Sequence, residues 1–304
     1  MIRYFKHYDI DKAKWDACIE KSTNGIIYAY SWYLDIVSPG WEALVTGDYD
    51  IIMPLTQRKK YGIHYLYQPY FTQQLGVFFS GKPDEQIVGN FLNAIPSSYR
   101  FVEINLNTFN KISLPEYIIK SSLTHELPLN DTYENRYKQF SENNRRNVKK
   151  AEKSHLKIVY DVNASDIINM FRKNRGKDIR NLKNKDYDML QKLIEECNRR
   201  GVAEILGVKT SSSELCAGAF FVEKNGKKIF LFSAINEEGK KYSAMFFLIN
   251  HVIKKAILCE TKIDFHGSND SDIARFYKGF GAQEINYYKA KKNKLPVILR
   301  MIKK

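Results

Sequence analysis

The chain has 304 residues, of which 44% are hydrophobic and 27% are charged, and its formal net charge is +14. This length corresponds to about two domains, and the composition excludes disordered and fibrous proteins because it supplies enough apolar residues for buried cores. No apolar run reaches the roughly 18–20 residues of a membrane helix, and the first residues lack the apolar region of a signal peptide. We therefore expect a cytoplasmic protein.

The N-terminal half is predicted to mix helices and strands. The sequence Asp131-Thr-Tyr-Glu134 matches a capping box, so we predict a long helix from there to about residue 154. Earlier in the chain we predict helices at 11–21, 30–37 and 84–94, and strands at 41–46, 50–57, 61–67, 76–79, 101–105 and 123–127.

The C-terminal half has a clearer pattern. Asn225-Gly226 is the dipeptide preferred in type I′ hairpin turns, so the strands on either side are predicted to pair antiparallel. The later strand–helix–strand order requires a parallel pair, so the predicted fold class is α/β with a mixed sheet. We predict helices at 163–175, 186–200, 241–259 and 272–278, and strands at 202–209, 216–223, 228–235, 262–265, 283–290 and 296–302.

The positive charge is concentrated in two segments. Residues 131–200 carry 18 lysines and arginines against 11 acidic residues, and residues 285–304 carry seven and no acidic residue. The rest of the chain is balanced, so these two segments hold the whole excess. Such a local field favours a polyanionic or phosphorylated ligand, and a solvated face rich in lysine is the structural alternative.

The four cysteines, Cys18, Cys197, Cys216 and Cys259, are scattered along the chain without a C-x-x-C spacing. This pattern argues against a disulfide framework and against a structural zinc site, so no metal is expected.

Three stretches carry a family resemblance: residues 144–153, residues 264–268 with 273–282, and residues 67–77. They resemble stretches of Fem-type proteins, in which two GNAT-like acyl-CoA N-acyltransferase subdomains are fused. The first is similar to the R-x-N-I-x-x-A-E-K segment that joins the two halves of those proteins. The resemblance implies two GNAT-like subdomains in tandem, residues 1–154, ending in a long basic joining helix, and residues 155–304. The similar element order of both halves also indicates an internal duplication.

The resemblance implies transfer of an acyl or aminoacyl group onto an amine, such as that of a cell-wall precursor peptide. The donor would be acyl-CoA or aminoacyl-tRNA, with no permanently bound cofactor. Both donors place an activated carbonyl beside a polyanionic carrier, so CoA, tRNA or a nucleotide-linked precursor are the expected partners, without integral membrane association. Donor and acceptor are expected to meet where neighbouring parallel strands of the second half separate.

Expected phosphate contacts follow the third strand of the second half. GNAT proteins carry R/Q-x-x-G-x-G/A at this turn, where backbone amides and the helix dipole bind the CoA pyrophosphate. Here the corresponding contacts are Lys240, Lys241, Ser243 and Ala244, and Tyr242 occupies the position of a glycine. A side chain at that position obstructs the approach of a phosphate to the backbone, which counts against acetyl-CoA. A surface loop is the alternative.

Three residues are candidates for proton transfer. The resemblance implies that Tyr277 protonates the departing group, for which its ordinary pKa of about 10 is suitable. Asp264 and His266 are candidates for the base, because strand alternation points both side chains the same way. The alternatives are a core tyrosine, a structural histidine and a deprotonation that needs no dedicated base.

The predicted substrate contacts are basic, phenolic or amide side chains. The first group forms a basic stripe on the joining helix, and the second consists of two arginines three residues apart on a later helix. The third group lies in a loop whose phenol and amide groups can form hydrogen bonds with a peptide or a sugar. For each group a solvated helix face or a packed sheet is the alternative. These contacts are Tyr67, Gln68, Tyr70, Gln73, Gln74, Arg145, Arg146, Lys149, Arg172, Arg175 and Ser268.

The leading hypothesis is therefore an N-acyltransferase or aminoacyltransferase. A catalytically silent nucleic-acid-binding protein that uses the +14 charge is the second. A ligand-binding protein that has lost its donor site is the third, and Tyr242 is the residue that supports it.

Overall fold

The computed structural model describes residues 1–81, 84–179, 181–257, 261–266 and 270–296. Within these ranges no helix combines the length and apolar character needed to cross a membrane.

Contacts between Cα atoms divide the chain into two units. Unit 1 consists of Met1–Leu123 together with the chain from Asn286 onward, and unit 2 consists of Thr124–Ile285. This division differs from the predicted boundary after residue 154, because the predicted joining helix lies in unit 2 and the C-terminal strand returns to unit 1.

Unit 1 alternates short helices with strands, and the chain leaves it within a long strand. Its elements are α1 (Lys12–Lys21), α2 (Ser31–Val37), α3 (Glu85–Asn93), β1 (Ile2–Phe5), β2 (Glu42–Thr46), β3 (Ile51–Leu55), β4 (Gln57–Lys60), β5 (Ile63–Leu66), β6 (Phe78–Phe79), β7 (Tyr99–Asn105) and β8 (Ile118–Pro128).

The strands of unit 1 belong to two sheets. One has the order β1-β2-β3-β6 and is antiparallel. In the other, β4 pairs antiparallel with β5, and β5 pairs parallel with β7. Helix α3 buries Val88, Phe91 and Leu92, whose spacing of three and four residues places them on one face against the core.

Unit 2 contains the larger helices, and its last strand carries the chain back to unit 1. Its elements are α4 (Tyr133–Gln139), α5 (Glu142–Glu152), α6 (Ala164–Lys173), α7 (Asn184–Arg199), α8 (Glu237–Lys241), α9 (Ala244–Ala256), α10 (Ser271–Lys278), β9 (Lys157–Val159), β10 (Ala203–Lys209), β11 (Leu215–Lys224), β12 (Lys227–Ile235), β13 (Lys262–Asp264) and β14 (Gln283–Asn293).

The sheet of unit 2 is mixed, as predicted. Strands β9, β10, β11 and β12 pair antiparallel in this order, β12 pairs parallel with β13, and β13 pairs antiparallel with the end of β8. Asn225 and Gly226 have positive φ angles of 52° and 67°, so the predicted type I′ turn between β11 and β12 is confirmed. Helix α9 buries Leu248, Ile249 and Val252 in the core of this unit.

Two predicted long helices are each divided. The helix predicted over 131–154 is interrupted at Phe140, which is extended and buried, and Ser141 then caps α5 by accepting the backbone N–H of Asn144. The helix predicted over 241–259 is wrong at its start, because Ser243 is left-handed with φ of 58° and separates α8 from α9. In both places a buried residue outweighs the helical propensity of its neighbours.

Other differences lie at element ends. The helix predicted to reach Arg175 ends at Lys173, and a 3-10 turn over Arg175–Asp178 follows it. Strands β1, β4 and β9 were not predicted, and they are only three or four residues long. Of the strand predicted at 296–302, residues 297–302 lie outside the described residues.

Candidate functional site

The parallel pairing between the two central strands of unit 2 is short, because β13 has only three residues. The register joins Lys227 to Lys262, Lys228 to Ile263 and Ile229 to Asp264, after which β13 ends and β12 continues to Ile235. In the described part of the chain no strand pairs with this side of β12 beyond Ile229. A ligand that binds there would meet backbone N–H and C=O groups of β12, each of which needs a hydrogen-bond partner.

A cavity of about 820 Å³ lies at the far end of β12. It is formed by the last residues of β12, the turn after α6, and the first residues of α8 and α10. Its walls mix both signs of charge with a few apolar groups. The charged lining residues are Lys173, Arg175, Lys177, Lys240, Asp178, Glu237, Asp270 and Asp272.

A buried ion network holds the near end of the two strands together. Lys227 Nζ lies 2.5 Å from Glu126 Oε1 and 3.1 Å from Asp264 Oδ2. The Thr124 hydroxyl and the backbone N–H of His266 donate to the other oxygen of Asp264, at 2.7 and 3.0 Å. Despite complete burial, the Lys227 ammonium and these hydrogen bonds hold the pKa of Asp264 below its ordinary value.

This network does not favour Asp264 and His266 as a coupled base. The expected alternation fails because β13 ends at Asp264 and His266 is left-handed with φ of 51°, so the backbone of His266 contacts the carboxylate. Burial lowers the pKa of His266 to about 4, so the ring is neutral at pH 7. The carboxylate already accepts three hydrogen bonds and has a structural role.

Tyr277 lies in an aromatic cluster where the strands begin to separate. Its ring stacks on Phe265 with the centroids 4.6 Å apart, and the ring centroids of Phe230 and His125 lie 6.3 and 5.8 Å away. Tyr277 is four residues after Ile273, which lines the cavity, so both lie on one face of α10. Within the described residues nothing bonds to the Tyr277 hydroxyl, and burial raises the pKa of this phenol.

The expected phosphate turn between α8 and α9 is closely packed. A Cβ at Gly239 would lie 2.2 Å from the carbonyl oxygen of Cys216, so α8 rests directly on β11. Ser243 is buried and its hydroxyl donates to Asn147 Oδ1 on α5 at 2.8 Å. Tyr242 is half-buried against the core and follows α8, so the glycine pattern of this turn is replaced by a packed side chain.

The remaining expected phosphate contacts differ in exposure. Lys240 and Lys241 are exposed and pair with Glu237 and Glu238 at 2.7 and 3.5 Å. Of these lysines, Lys240 lines the cavity. Ala244 is fully buried in the core, so its side chain cannot contact a ligand.

Helix α5 presents the predicted basic stripe. Arg145, Lys149 and Lys153 lie four residues apart and line a groove of about 690 Å³ together with Arg146 and Lys150. Arg146 donates to Asn143 at 3.2 Å, and among the described residues none of these five cations pairs with an acidic side chain. The opposite face of α5 buries Val148 and Ala151. The groove is therefore strongly positive, with five cations against one carboxylate, that of Glu142.

The two arginines predicted to share a helix face are separated. Arg172 is the penultimate residue of α6, donates to Asn184 at 2.7 Å and lies 4.9 Å from the ring centroid of Tyr187 on α7. Arg175 follows the helix, lines the cavity and lies 3.7 Å from Asp270. Ser268 is outside the described residues.

In unit 1, the amide-rich loop that follows β5 fills the place where the parallel pairing of β5 with β7 ends. Beyond the parallel pairing of β5 with β7, the backbone N–H of Asn105 donates to Gln68 Oε1 at 2.9 Å, and Leu75 N–H donates to the Asn105 carbonyl at 2.8 Å. Gln74 Oε1 accepts from the backbone N–H of Thr108 at 3.1 Å. These glutamine side chains therefore complete the sheet, and the predicted substrate-reading role is not supported for Gln68 and Gln74.

The two tyrosines of this loop are more open than Gln73 and Gln74. Gln73 accepts from the Gln74 amide at 2.9 Å and is 9% exposed. Tyr70 is 39% exposed, and the half-buried Tyr67 lies under the guanidinium of Arg58 at 4.0 Å. Tyr67 and Tyr70 can thus reach a ligand, whereas the amides mainly hold the loop.

Sequence reasoning missed the two side chains that organise the strand gap of unit 2. Lys227 and Glu126 are 101 residues apart and become partners only through the order of β12, β13 and β8. The sequence holds one weak signal, a lysine directly after the hairpin turn on a strand that is otherwise apolar.

Comparisons with known proteins agree with this geometry. Residues 138–278 match the model of a family described as Acetyltransferase (GNAT) domain. The crystal structure of FemX is similar with a TM-score of 0.69 and 13% identity, covering 97% of this chain and 99% of that chain. No curated protein sequence matches the chain.

Two further solved structures are similar over nearly the whole chain. L-PGS from Bacillus licheniformis has a TM-score of 0.55 and 12% identity, covering 96% of this chain and 94% of that one. A tandem GNAT protein from the clavulanic acid biosynthesis pathway has a TM-score of 0.53 and 8% identity, covering 97% and 99%. The predicted fold of two GNAT-like subdomains in tandem is therefore confirmed.

Proposed function

We propose that this chain is an acyltransferase, because residues 138–278 match a GNAT acetyltransferase family model and the fold is similar to that of Fem-type tandem proteins. It moves an acyl or aminoacyl group from acyl-CoA or aminoacyl-tRNA to an amine, such as that of a cell-wall precursor peptide. The observation that carries the proposal is that the pairing of β12 with β13 ends at Ile229 while β12 continues to Ile235, beside a cavity of about 820 Å³.

The unpaired side of β12 supplies the positioning that such a transfer needs. Backbone N–H groups beyond Ile229 can donate to the donor carbonyl and to its carrier, which polarises the carbonyl carbon. The deprotonated amine attacks this carbon and a C–N bond forms, while the bond from the carbonyl carbon to the carrier sulfur or oxygen breaks. The ammonium proton passes to water before the attack, since Asp264 is already paired. The second proton, which the nitrogen loses after the attack, replaces the one that Tyr277 gives to the carrier atom.

Tyr277 is the proposed general acid. Its hydroxyl stays protonated at neutral pH because burial raises its pKa, and it can give this proton to the departing carrier atom. A phenol of raised pKa transfers a proton uphill to a thiolate, whose pKa is about 8.5. The environment of Tyr277 therefore favours a leaving group more basic than a thiolate.

The basic stripe of α5 is proposed to hold carrier phosphates. Arg145 and Lys153 are eight residues apart, so the stripe is about 12 Å long, enough for several phosphates in a row. The cations have no acidic partners among the described residues, so a bound polyanion would not have to displace an internal ion pair.

The first experiment identifies the donor. Thermal denaturation is measured with acetyl-CoA, a longer acyl-CoA, or charged tRNA. A ligand at 100 times its dissociation constant stabilises the native state by about 2.7 kcal/mol. Stabilisation by one class together with transfer of its labelled acyl group to an amine names the donor. Stabilisation without transfer identifies a binding protein instead, and no stabilisation by any donor contradicts the proposal.

The second experiment tests Tyr277. We expect Tyr277→Phe to lower turnover by about 100-fold or more, with little change in donor affinity, because only the proton is removed. Tyr137→Phe is the matched control, since Tyr137 packs against the same core but contacts Tyr133 and Phe140 instead of the aromatic cluster beside β13. If Tyr277→Phe works at full rate, Tyr277 is a core residue and not the acid.

The third experiment tests the stripe. Arg145→Ala with Lys149→Ala is expected to weaken donor binding, and the loss is larger at low salt because screening is weaker. Lys185→Ala with Lys192→Ala removes two exposed charges from α7 and is the control. If both double variants bind the donor equally well, the basic residues of α5 form a solvated helix face and do not bind the donor.

A further inference from the structure

One face of the unit 1 sheet carries a basic and aromatic surface that the proposed transfer does not use. Strand register pairs Arg58 with Tyr65, Tyr65 with Phe101, and Glu103 with Lys291. Cross-strand partners point to the same side of a sheet, so these residues share one face. We call it the unit 1 sheet face, formed by Arg58, Lys60, Tyr65, Tyr67, Phe101, Glu103, Lys289 and Lys291.

The opposite side of the same strands forms the core. Leu66, Val102, Ile104 and Ala290 alternate with the residues of the unit 1 sheet face and are buried together. The face itself is partly open to solvent, since Arg58 and Lys60 at the β4 edge are exposed and Tyr65 and Tyr67 are half-buried. Phe101 is 3% exposed and lies beneath the face.

The charge of this face is uncompensated. Among the described residues Arg58, Lys60 and Lys289 form no ion pair, and Lys291 lies 3.8 Å from Glu103, the acidic residue of the face. Four cations against one carboxylate make the surface attractive to an anionic partner.

Aromatic rings lie between the cations. The ring centroids of Tyr65 and Tyr67 are 6.2 Å apart, and both rings are partly exposed. The Arg58 guanidinium lies 4.0 Å from the centroid of Tyr67, and Lys291 lies 5.5 Å from that of Phe101. A cation beside a partly exposed ring contacts a phosphate and an unstacked base at the same time.

We propose that the unit 1 sheet face binds a short single-stranded stretch of nucleic acid. Bases stack on Tyr65 and Tyr67, and phosphates contact Arg58, Lys60, Lys289 and Lys291. From β4 to β14 the face spans three strand spacings, about 14 Å, which fits about two to three nucleotides. A duplex hides its bases and an acidic peptide offers no planar rings, so neither would use the tyrosines.

Binding is tested with a fluorescein-labelled oligouridylate of eight nucleotides, by fluorescence anisotropy from 50 to 200 mM KCl. Two to three phosphate contacts, as many as the face has room for, predict that log K falls against log[salt] with a slope of about −1.4 to −2.1. Arg58→Ala with Lys60→Ala is expected to reduce this slope by about half. The control, Lys21→Ala with Lys111→Ala, removes two exposed cations of unit 1 elsewhere and leaves the slope unchanged.

The tyrosines are tested separately. Tyr65→Ala and Tyr67→Ala are each expected to weaken binding at least about fivefold with an unchanged salt slope, because a stacked ring adds no charge. The exposed Arg58 and Lys60 variants keep the test decisive if a tyrosine variant fails to fold. Failure of the oligonucleotide to bind, or equal affinity for a duplex of the same length, would overturn the proposal.

Competition with dextran sulfate separates specific from purely electrostatic binding. The proposal also fails if this polyanion binds as tightly as the oligonucleotide and the tyrosine variants bind like wild type. No donor or acceptor is present in these assays, so the result does not depend on the proposed transfer in unit 2.

Discussion

Replacing Lys227 by methionine tests whether the ion network holds the start of the strand gap. The substitution keeps the volume of the side chain but removes the cation that lies 3.1 Å from Asp264. Glu126 retains Lys262 at 2.8 Å, so Asp264 is the carboxylate left uncompensated. Breaking a buried ion pair costs about 3–5 kcal/mol. Since Asp264 keeps hydrogen bonds from Thr124 and His266, we expect about 3 kcal/mol.

The loss is expected to depend on pH. In the wild type, the folded pKa of Asp264 is below its unfolded value of about 3.9, so its stabilisation is present above that value and disappears as pH falls through the folded pKa. In Lys227→Met, burial without the cation raises the folded pKa of Asp264. As pH falls, Asp264 of the folded variant therefore binds a proton before Asp264 of the unfolded chain does. The loss in free energy of unfolding relative to the wild type is then smaller at pH 4.5 than at pH 7.

Urea unfolding followed by circular dichroism at both pH values measures the deficit. The three tryptophans, Trp15, Trp32 and Trp41, all lie in unit 1, so their fluorescence reports that unit separately. Lys254→Met removes an exposed lysine 3.6 Å from Glu152 and is expected to cost less than about 1 kcal/mol. A Lys227→Met deficit below 1 kcal/mol at pH 7, or an equal deficit at both pH values, would refute the reasoning.

Two other substitutions test packing. Gly239→Ala places a methyl group 2.2 Å from the carbonyl oxygen of Cys216, so thermal denaturation should show a loss of about 1–3 kcal/mol in stability. Gly89→Ala is the control, because its methyl group would lie 3.6 Å from Leu114 within a helix and should cost no stability. Equal midpoints for the two variants would contradict this close approach. Gln68→Ala leaves the backbone N–H of Asn105 without its acceptor and should destabilise unit 1 by about 1–3 kcal/mol, read from tryptophan fluorescence. An unchanged transition would mean that the loop does not depend on this amide.

Local sequence pattern was sufficient for most elements of both units. The hairpin at Asn225-Gly226 follows from the backbone angles that these two residues tolerate. Helix α7, Asn184–Arg199, follows from apolar residues at helical spacing. Such features depend on neighbours within a few residues, so they are readable without knowledge of the fold.

The breaks in the two long helices required the tertiary structure. The local sequence around Phe140 does not show that the helix is interrupted there. The ring of Phe140 packs against Phe280, a distant residue in the sequence, with the ring centroids 5.0 Å apart. Ser243 is held left-handed beside Asn147, which is 96 residues away. Local propensities differ by only about 1 kcal/mol per residue, so a buried long-range contact outweighs them.

The candidate site shows the same division. The sequence by itself determined that Asp264, Tyr277 and the α5 stripe lie in a GNAT-like half, because those stretches carry the family pattern. Only the tertiary structure decided that Asp264 pairs with Lys227 and that Gln68 closes the strand gap of unit 1. The physical reason is that a buried polar side chain needs a hydrogen-bond or ion-pair partner. Which partner lies close enough depends on strand order and register across the sheet.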